Sequence, residues 1–362
     1  MRFEWMGRQE RQYVADGIHQ VYIELSTACN LSCTTCVRHS IKNFAIAHLK
    51  KPLLAKIIVQ LRQLKSLQRI VLLGFGEALC NPNIQWHLKQ LSTLNVPIVL
   101  ITNGLLITQQ LASLFVSLPL DAVYISIDDP AGVKPLIRKG SDVHIPLQAI
   151  TMLKEAKNAM KAQKPFIGVE TVVTQYNVNN VIDIVTMAKQ AGAEHSIVSH
   201  VFPYTSEMSN AIVYSVDGTK DGLKQARKYF SHDTTVTMAR SNASTLRSCP
   251  FIEKGTVFIN VHGYISPCPE LAYTHQAYYF GNPRMHIHHR FGNIEKDAIA
   301  DIWNNAEFAG FRDKFKYFEF PDCTLCVEPD MCYHRTVENK DCYWNTTPCG
   351  ECLWAKGIVL CP

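Results

Sequence analysis

Three cysteines near the start of the chain, Cys29, Cys33 and Cys36, have the spacing and residue type of a metal centre. They follow an apolar stretch, residues 21–25, so they belong to the loop after a predicted strand. Three thiolates suit a four-iron, four-sulfur cluster in which one iron has no protein ligand and stays open to a small molecule. A structural zinc site is the alternative, because His39 could supply the fourth ligand that zinc requires.

The composition excludes several classes of function. The chain has 362 residues, of which 47% are hydrophobic, enough for one large core and a smaller second unit. Its net charge of +5 is modest and no Lys/Arg run is long, so we expect no nucleic-acid partner. No segment resembles a signal peptide or a membrane span, so we expect a cytoplasmic protein with no membrane partner. In a reducing cytosol, thirteen cysteines favour metal ligation over disulfides.

Strand-like and helical patterns alternate from the cysteine loop to residue 204. Six short apolar runs, each typical of a buried parallel strand, are separated by segments with helical periodicity. This alternation predicts an α/β fold, a partial (β/α)6 TIM-like barrel, with functional residues at the carboxyl ends of the strands. The runs are residues 21–25, 70–74, 98–101, 122–127, 166–173 and 196–202.

The ends of these strands carry the candidate binding residues. They are Gly74, Gly76 and Glu77 after the second strand, Asn103 after the third, Ser126 and Asp128 at the fourth, and Arg138 in the loop beyond. Glu170 is a further neighbour, and Asp129 and His200 are candidates for protonating a substrate. Glycines let backbone approach a ligand closely, and a carboxylate can accept hydrogen bonds from an ammonium group.

The remainder of the chain has a different pattern. Residues 205–247 form a polar bridge with one predicted helix, 221–229, and residues 248–362 form a cysteine-rich auxiliary domain. This domain begins with a predicted hairpin, followed by a helix over residues 299–315. Its candidate metal ligands are Cys249, Cys268, Cys323, Cys326, Cys332, Cys342, Cys349, Cys352 and Cys361. Two four-iron clusters bound only by thiolates need eight of these nine cysteines. Alternatively, the pair Cys323 and Cys326 and the pair Cys349 and Cys352 could bind one zinc ion as a zinc ribbon.

The C-x3-C-x2-C motif of Cys29, Cys33 and Cys36 resembles the signature of radical S-adenosylmethionine (SAM) enzymes. The resemblance implies that a [4Fe–4S] cluster binds SAM through its open iron and cleaves it reductively. The 5′-deoxyadenosyl radical so formed abstracts a hydrogen atom from the substrate, a step that side chains cannot perform.

The SAM-binding residues also follow from this resemblance. Residues 74–77, Gly-Phe-Gly-Glu, resemble the family's Gly-Gly-Glu motif, which holds the methionine amino group, although a phenylalanine separates the glycines here. Ser126 and Asp128 correspond to residues that contact the methionine carboxylate or the ribose hydroxyls. Arg138 resembles the arginine that pairs with the carboxylate, a group that a guanidinium fork suits well.

The tail resembles the SPASM-type auxiliary domain, which implies one or two auxiliary [4Fe–4S] clusters, although Thr336 stands where another cysteine is expected. The ending, together with residues 291–293 and 302–304, resembles radical maturases of tungsten-cofactor oxidoreductases. This implies maturation of a tungsten or molybdenum pterin oxidoreductase or of its cofactor. The implied partners are a protein, peptide or pterin substrate and an electron donor such as ferredoxin or flavodoxin.

Two alternatives remain at the level of sequence. A peptide-modifying or sulfatase-activating radical SAM enzyme would explain both the barrel and the tail. A zinc-ribbon interaction protein, a different class of function, would explain the tail but not the barrel.

Overall fold

Six parallel strands form the centre of the structure, a computed structural model that describes residues 16–118, 120–132, 137–243, 247–329 and 331–361. The strands are β1 (Gln20–Ile23), β2 (Arg69–Leu72), β3 (Ile98–Thr102), β4 (Ala122–Ser126), β5 (Phe166–Val173) and β6 (His195–His200). Each strand pairs in parallel with the next one along the chain. The predicted partial barrel of six strand–helix units is therefore confirmed, and the strand limits differ from the predicted ones by at most two residues.

Five helices follow these strands in the expected order. They are α1 (Lys51–Leu61), α2 (Ile84–Ser92), α3 (Gln109–Ser117), α4 (His144–Ala159) and α5 (Val181–Ala191). Each places its apolar residues at helical spacing, so that one side is buried while polar residues between them stay exposed. Gly192 ends α5 with a φ of 122°, a backbone conformation that favours glycine.

Successive residues of each strand face opposite sides of the sheet. In β1, Val21 and Ile23 pack with the helices in one large apolar cluster. Tyr22 packs on the other side, in a smaller cluster that contains Phe251 and Phe258 from the C-terminal third of the chain. The helices therefore cover one face of the sheet, and the C-terminal region covers the other.

Two further parallel strands flank the six. The strand β7 (Val236–Met238) pairs with β6, and β8 (Thr256–Ile259) pairs with β1. The sequence predicted β8 only as an arm of a hairpin, and it indicated neither β7 nor the pairing of β8 with β1. The predicted hairpin is present, because β8 pairs antiparallel with β9 (Tyr264–Ser266), which in turn pairs with β12 (Gly292–Asn293). The hairpin of the auxiliary region thus continues the sheet of the barrel. In the sheet of the described residues β7 and β12 are the two edges, so the barrel is open.

The C-terminal third also contains a second, two-stranded sheet and several short helices. The remaining elements are α6 (Ser206–Asn210), α7 (Lys224–Tyr229), α8 (Pro250–Glu253), β10 (His275–Tyr279), β11 (Asn282–His286), α9 (Ile299–Asn304), α10 (Ala306–Lys316) and α11 (Tyr333–Thr336). The prediction of one helix over residues 299–315 was wrong, because Asn305 has extended backbone, with ψ of 153°, and separates α9 from α10. The Asn305 side chain accepts a hydrogen bond from the Phe308 N–H and so begins a new helix.

The last residues of the chain return to the carboxyl end of β6. The His200 N–H donates to the Ile358 carbonyl over 3.2 Å, and the Leu360 N–H donates to Ser199 Oγ over 2.9 Å. The end of the chain therefore covers the open side of the sheet near β6. Within the described ranges, no helix combines the length and the apolarity needed to cross a membrane.

The turn after β2 packs tightly against the backbone that leads into the cysteine loop. A Cβ atom at Gly76 would lie 2.4 Å from the Ser26 carbonyl oxygen and 2.5 Å from that of Ala28. Because these are backbone atoms, Gly76→Ala should lower the free energy of unfolding by about 1–3 kcal/mol. Denaturant unfolding followed by circular dichroism under anaerobic conditions measures this.

Gly310→Ala is the matched control, since a Cβ atom at this position in α10 meets nothing within 4 Å. In a helix the change from Gly to Ala should be neutral or stabilising by up to about 1 kcal/mol. Equal stability of Gly76→Ala and the wild type would show that the loop does not pack against this turn as described.

Candidate active site and auxiliary cysteine groups

The loop that carries Cys29, Cys33 and Cys36 lies between β1 and α1, at the carboxyl end of the sheet. Neighbouring backbone fixes its position, because the Thr34 N–H donates to the Ile137 carbonyl over 2.9 Å. All three thiols are partly buried. Burial raises the pKa of Cys33 to about 12 and also raises that of Cys36. The charges of neighbouring cysteines add to this effect, from Cys29 and Cys36 at Cys33 and from Cys29 at Cys36.

The two metal alternatives differ in the sulfur spacing that they require. A zinc ion bound by thiolates at about 2.3 Å would hold the sulfurs roughly 3.8 Å apart. Among the described residues, which include all thirteen cysteines, no three sulfurs lie within 4.8 Å of one another. A cubane cluster spaces its ligands more widely, because each sulfur binds a different iron. His39 Nε2 lies 2.8 Å from the Cys33 carbonyl oxygen, and among the described residues His39 belongs to no group of three converging ligand atoms.

The turn after β2 holds the cysteine loop through Glu77. The buried Glu77 carboxylate accepts hydrogen bonds from the Leu79 N–H (3.0 Å), the Thr102 hydroxyl (2.8 Å) and the Asn103 N–H (2.7 Å). The Glu77 N–H donates to the Ala28 carbonyl, directly before the first cysteine. Glu77 therefore already binds three donors of its own chain, while a carboxylate has about four acceptor positions.

Two of the predicted SAM-binding residues flank this turn. Asn103 donates through Nδ2 to Asn30 Oδ1 over 2.7 Å and lies 3.9 Å from Cys29 Sγ. A Cβ atom at Gly74 would lie 2.4 Å from Glu24 Cγ, so only glycine fits at this position. The structure therefore brings residues 74–77 and Asn103 to the same side of the cysteine loop.

Asp128 and Arg138 form a buried ion pair on the other side of the loop. Arg138 Nε lies 2.7 Å from Asp128 Oδ2, and Asp128 Oδ1 accepts from the Val172 N–H over 2.7 Å. Burial raises the pKa of Asp128, and the Arg138 charge opposes this effect. Asp129 accepts from the backbone N–H groups of Ile137 and Arg138, which fixes the loop that carries the guanidinium. Asp129 thus positions Arg138.

The cation of Arg138 also acts on its wider surroundings. Its charge lowers the pKa of Cys33 and of Glu77 against the larger effect of burial, so the guanidinium lies within electrostatic reach of both sides of the loop. Ser126 ends β4 in a partly buried position, two residues before Asp128. The predicted site residues from β2, β3, β4 and the following loop therefore converge at one end of the sheet.

A cavity of about 290 Å³, the central cavity, lies between this end of the sheet and the C-terminal region. The cysteine loop, Gly74, Glu170, His200 and Cys361 contribute to its wall. Burial raises the pKa of Glu170 to about 8 and lowers that of His200 to about 3. His200 Nε2 lies 3.0 Å from Ser241 Oγ, while its buried Nδ1 atom has no hydrogen-bond partner in the described structure.

Four cysteines of the C-terminal region, the first auxiliary group, line one buried cavity. They are Cys249, Cys268, Cys349 and Cys352. Burial raises the pKa of each thiol, to about 12 for Cys249, and the charges of other members of the group raise it further in Cys249, Cys268 and Cys349. A cluster with four thiolate ligands fits this arrangement.

A second auxiliary group comprises Cys326, Cys332 and Cys342, and Cys323 lies beside Cys326 in the same turn. Burial raises the pKa of Cys342, and Asp341, Cys332 and Cys326 raise it further, so these sulfurs are neighbours. Cys323 precedes Cys326 in a short turn, closed by a hydrogen bond of 3.4 Å between the Cys326 N–H and the Cys323 carbonyl.

The two C-x2-C pairs of the tail therefore belong to different groups, which argues against the zinc ribbon. Cys361 belongs to neither group, since it lies at the central cavity beside Tyr22 and Glu170. Cys80 also belongs to neither group. Its sulfur lies 4.0 Å from Asn30 Oδ1 in the cysteine loop, and the charge of Cys29 adds to the effect of burial in raising its pKa.

Sequence reasoning missed two buried carboxylates. Glu24 accepts from the Phe75 N–H (2.9 Å), the Val261 N–H (3.3 Å) and the Tyr273 hydroxyl, and burial raises its pKa to about 7. Glu270 accepts from the Tyr204 hydroxyl over 2.5 Å. Both lie in segments where the only sequence signal was an acidic residue within an otherwise apolar stretch.

Comparison with known proteins agrees with this geometry. Residues 23–163 match the family model of the radical SAM superfamily, and residues 249–327 match that of SPASM, an iron-sulfur cluster-binding domain. The chain contains a radical SAM domain and a SPASM domain. A radical SAM domain binds a [4Fe–4S] cluster and SAM, and a SPASM domain binds auxiliary iron–sulfur clusters.

Relatives and solved structures extend this finding. The chain is 27% identical over 345 residues to the tungsten-containing aldehyde ferredoxin oxidoreductase cofactor-modifying protein of Pyrococcus furiosus, covering 94% of this chain and 96% of that protein. The fold is similar to anSMEcpe with bound AdoMet and the Cp18Cys peptide, at a TM-score of 0.61 and 18% identity, covering 85% and 86% of the two chains. It is also similar to Streptococcus suis SuiB bound to the precursor peptide SuiA, at a TM-score of 0.65 and 15% identity, covering 91% and 76%.

The first prediction at this site concerns the cysteine loop. Changing Cys29, Cys33 and Cys36 together to Ala should reduce reductive cleavage of SAM to background, because the cluster loses all of its protein ligands. The measurement is 5′-deoxyadenosine formed under dithionite, quantified by liquid chromatography and mass spectrometry. Cys80→Ala is the matched control and should keep wild-type cleavage. Wild-type rates in the triple variant would refute the assignment.

The second prediction concerns the auxiliary groups. After anaerobic reconstitution the chain should hold about eight to twelve irons, and Cys268→Ala and Cys332→Ala should each reduce this number by up to about four. The two variants should act additively, because the cysteines lie in different groups. Iron, sulfide and zinc analysis of the same samples measures this. About four irons per chain, with zinc making up the balance, would contradict the prediction.

Proposed function

We propose that this enzyme matures a tungsten- or molybdenum-pterin oxidoreductase by modifying its cofactor. The observation that carries the proposal is the similarity to the Pyrococcus furiosus cofactor-modifying protein, which extends over nearly the whole of both chains. Because the alignment spans the barrel and the cysteine-rich tail alike, it supports a shared overall design. At 27% identity it leaves the substrate itself to experiment.

In this proposal Cys29, Cys33 and Cys36 hold the catalytic cluster. The bound cluster and SAM together supply a hydrogen-abstracting radical, and the protein shields that radical from water. Arg138, held by Asp128 and by the backbone contacts of Asp129, pairs with the methionine carboxylate.

Further residues complete the proposed SAM site. Residues 74–77 and Asn103 surround the amino group, and Ser126 lies toward the ribose. The backbone of the turn after β2 contributes more to this than the Glu77 carboxylate, which already accepts three hydrogen bonds. The auxiliary groups hold one or two further clusters, and Cys361 is a ligand only if the end of the chain moves away from Tyr22.

We retain the division into a radical SAM barrel (1–204), a bridge (205–247) and an auxiliary domain (248–362) as part of the proposal. The proposed substrate enters the central cavity, whose wall is formed by both the barrel and the tail. A ferredoxin or flavodoxin supplies the electron, and the location is the cytoplasm, where thiolate ligands persist in reduced form.

The rival is a peptide-modifying or sulfatase-activating enzyme. Its support is the similarity of fold to anSMEcpe and SuiB, both solved with peptides. At 18% and 15% identity this similarity supports the fold rather than the substrate.

Gene deletion followed by complementation distinguishes the two. Deletion should abolish tungsten- or molybdenum-dependent aldehyde oxidation and change the metal or pterin content of the oxidoreductase. The wild-type gene and the Cys80→Ala variant should restore both, whereas the triple variant of Cys29, Cys33 and Cys36 should restore neither. Normal oxidoreductase activity, together with an altered peptide mass by mass spectrometry, would favour the rival. No change in either would refute both functions.

A further inference from the structure

Two buried histidines lie directly opposite each other on the two-stranded sheet of β10 and β11. His275 is the first residue of β10 and His286 is the last residue of β11, and they are register partners. Only 1% of His275 and 2% of His286 is exposed. Directly opposed residues share a face of an antiparallel pair, and here the centroids of the two rings are 4.6 Å apart.

A carboxylate meets both imidazole rings. Glu270, in the short turn 269–271 between β9 and β10, is 4% exposed. Its Oε2 atom lies 3.2 Å from His275 Nε2 and 3.6 Å from His286 Nδ1. One ligand atom from each of the three residues lies within 4.8 Å of the others, and no other set of His, Cys, Asp and Glu residues in the described part of the chain meets this condition.

The hydrogen bonds behind the rings orient the free nitrogens toward Glu270. His275 Nδ1 lies 2.9 Å from the Tyr273 carbonyl oxygen, which can only accept, so this nitrogen carries the proton. In a neutral ring Nε2 is then unprotonated, and its lone pair faces the Glu270 carboxylate. His286 Nε2 lies 2.8 Å from the Tyr279 hydroxyl, and its buried Nδ1 atom, which faces Glu270, makes no hydrogen bond of normal geometry in the described structure.

We propose that Glu270, His275 and His286 bind one divalent first-row transition-metal ion, of the class to which Zn²⁺ and Fe²⁺ belong. Two imidazole nitrogens and one carboxylate are a donor set that these ions accept with an open coordination position. The hydrogen bond from His275 Nδ1 to a carbonyl is the outer contact that metal-bound histidines commonly make. This site contains no cysteine, although Glu270 and His286 also border the cavity of the first auxiliary group.

The position of the site suggests its role. Glu270 lines both the central cavity and the cavity of the first auxiliary group, and Tyr204, which donates to Glu270 Oε1, also lines the central cavity. An ion here would stand between the first auxiliary group and the place where the substrate is proposed to bind. Its open position would serve as a Lewis acid for an oxygen, nitrogen or sulfur atom of the substrate. The metal site itself does not depend on the proposed function.

The competing explanation for this cluster of side chains is a protonated His275 with no metal ion. If His275 were an imidazolium, it would donate to Glu270 and the two would form a buried ion pair without a metal. That arrangement satisfies His275 but leaves His286 Nδ1 with only a longer contact, 3.6 Å to Glu270 Oε2. A metal ion would use all three groups at once.

The test uses the full chain, anaerobically reconstituted with iron and sulfide, and then dialysed against a chelator followed by Zn²⁺. The wild type should retain about one Zn²⁺ per chain with unchanged iron and sulfide, whereas His286→Gln should retain at least roughly tenfold less. His288→Gln is the matched control, since this exposed histidine, two residues further along, is outside the site and bonds to Thr274. It should bind Zn²⁺ as the wild type does.

X-ray absorption at the zinc edge provides a second measurement that needs no variant. Bound Zn²⁺ should show only nitrogen and oxygen neighbours at about 2.0–2.2 Å. Sulfur neighbours at about 2.3 Å, equal zinc retention in His286→Gln and the wild type, or no retained zinc in the wild type would each overturn the proposal. Since SAM cleavage can be assayed in the same samples, failure of the metal site is distinguishable from failure of the enzyme's proposed function.

Discussion

Buried carboxylates at the carboxyl ends of the strands hold the catalytic end of this enzyme together. A carboxylate removed from water is costly unless donors satisfy it, so each one fixes the groups that donate to it. Glu77 does this for the ends of β2 and β3 through Leu79, Thr102 and Asn103, and its own N–H anchors the backbone before Cys29. The geometry of the cysteine loop therefore depends on Glu77, which is not a ligand of the proposed cluster.

Glu24 extends the same principle to the auxiliary region. Its carboxylate accepts from Phe75 in the turn after β2, from Val261 beyond β8, and from Tyr273 just before β10. Burial raises its pKa to about 7, so these donors oppose the loss of solvation only in part. One side chain thus couples the turn after β2, the hairpin that continues the sheet, and the segment that leads to His275.

The tail completes the cavity that the open sheet leaves. Residues 358–361 bond to Ser199 and His200 and bring Cys361 beside Tyr22, on the face of the sheet opposite to the helices. The cavity wall thereby combines the ionisable side chains of Glu170 and His200 from the strands with the aromatic side chain of Trp354 from the tail. This enclosure suits a reaction in which the protein must separate a reactive species from water.

The sequence by itself determined the features that repeat locally. Period-two and helical patterns predicted the six strand–helix units, and the spacing of Cys29, Cys33 and Cys36 predicted their convergence, because these signals arise from residues that are neighbours in the chain. Local periodicity also failed locally, at Asn305, where a capping side chain outweighed a continuous helical pattern.

Only the tertiary structure decided how distant segments meet. The division of the tail cysteines into two groups, the pairing of β8 with β1, and the approach of Glu24 to Tyr273 join residues that are far apart in the chain. The register that places His275 opposite His286 depends on the hairpin and on Glu270, and none of these residues has a distinctive spacing. Such contacts are fixed by the packing of whole elements, for which a single sequence carries no local signal.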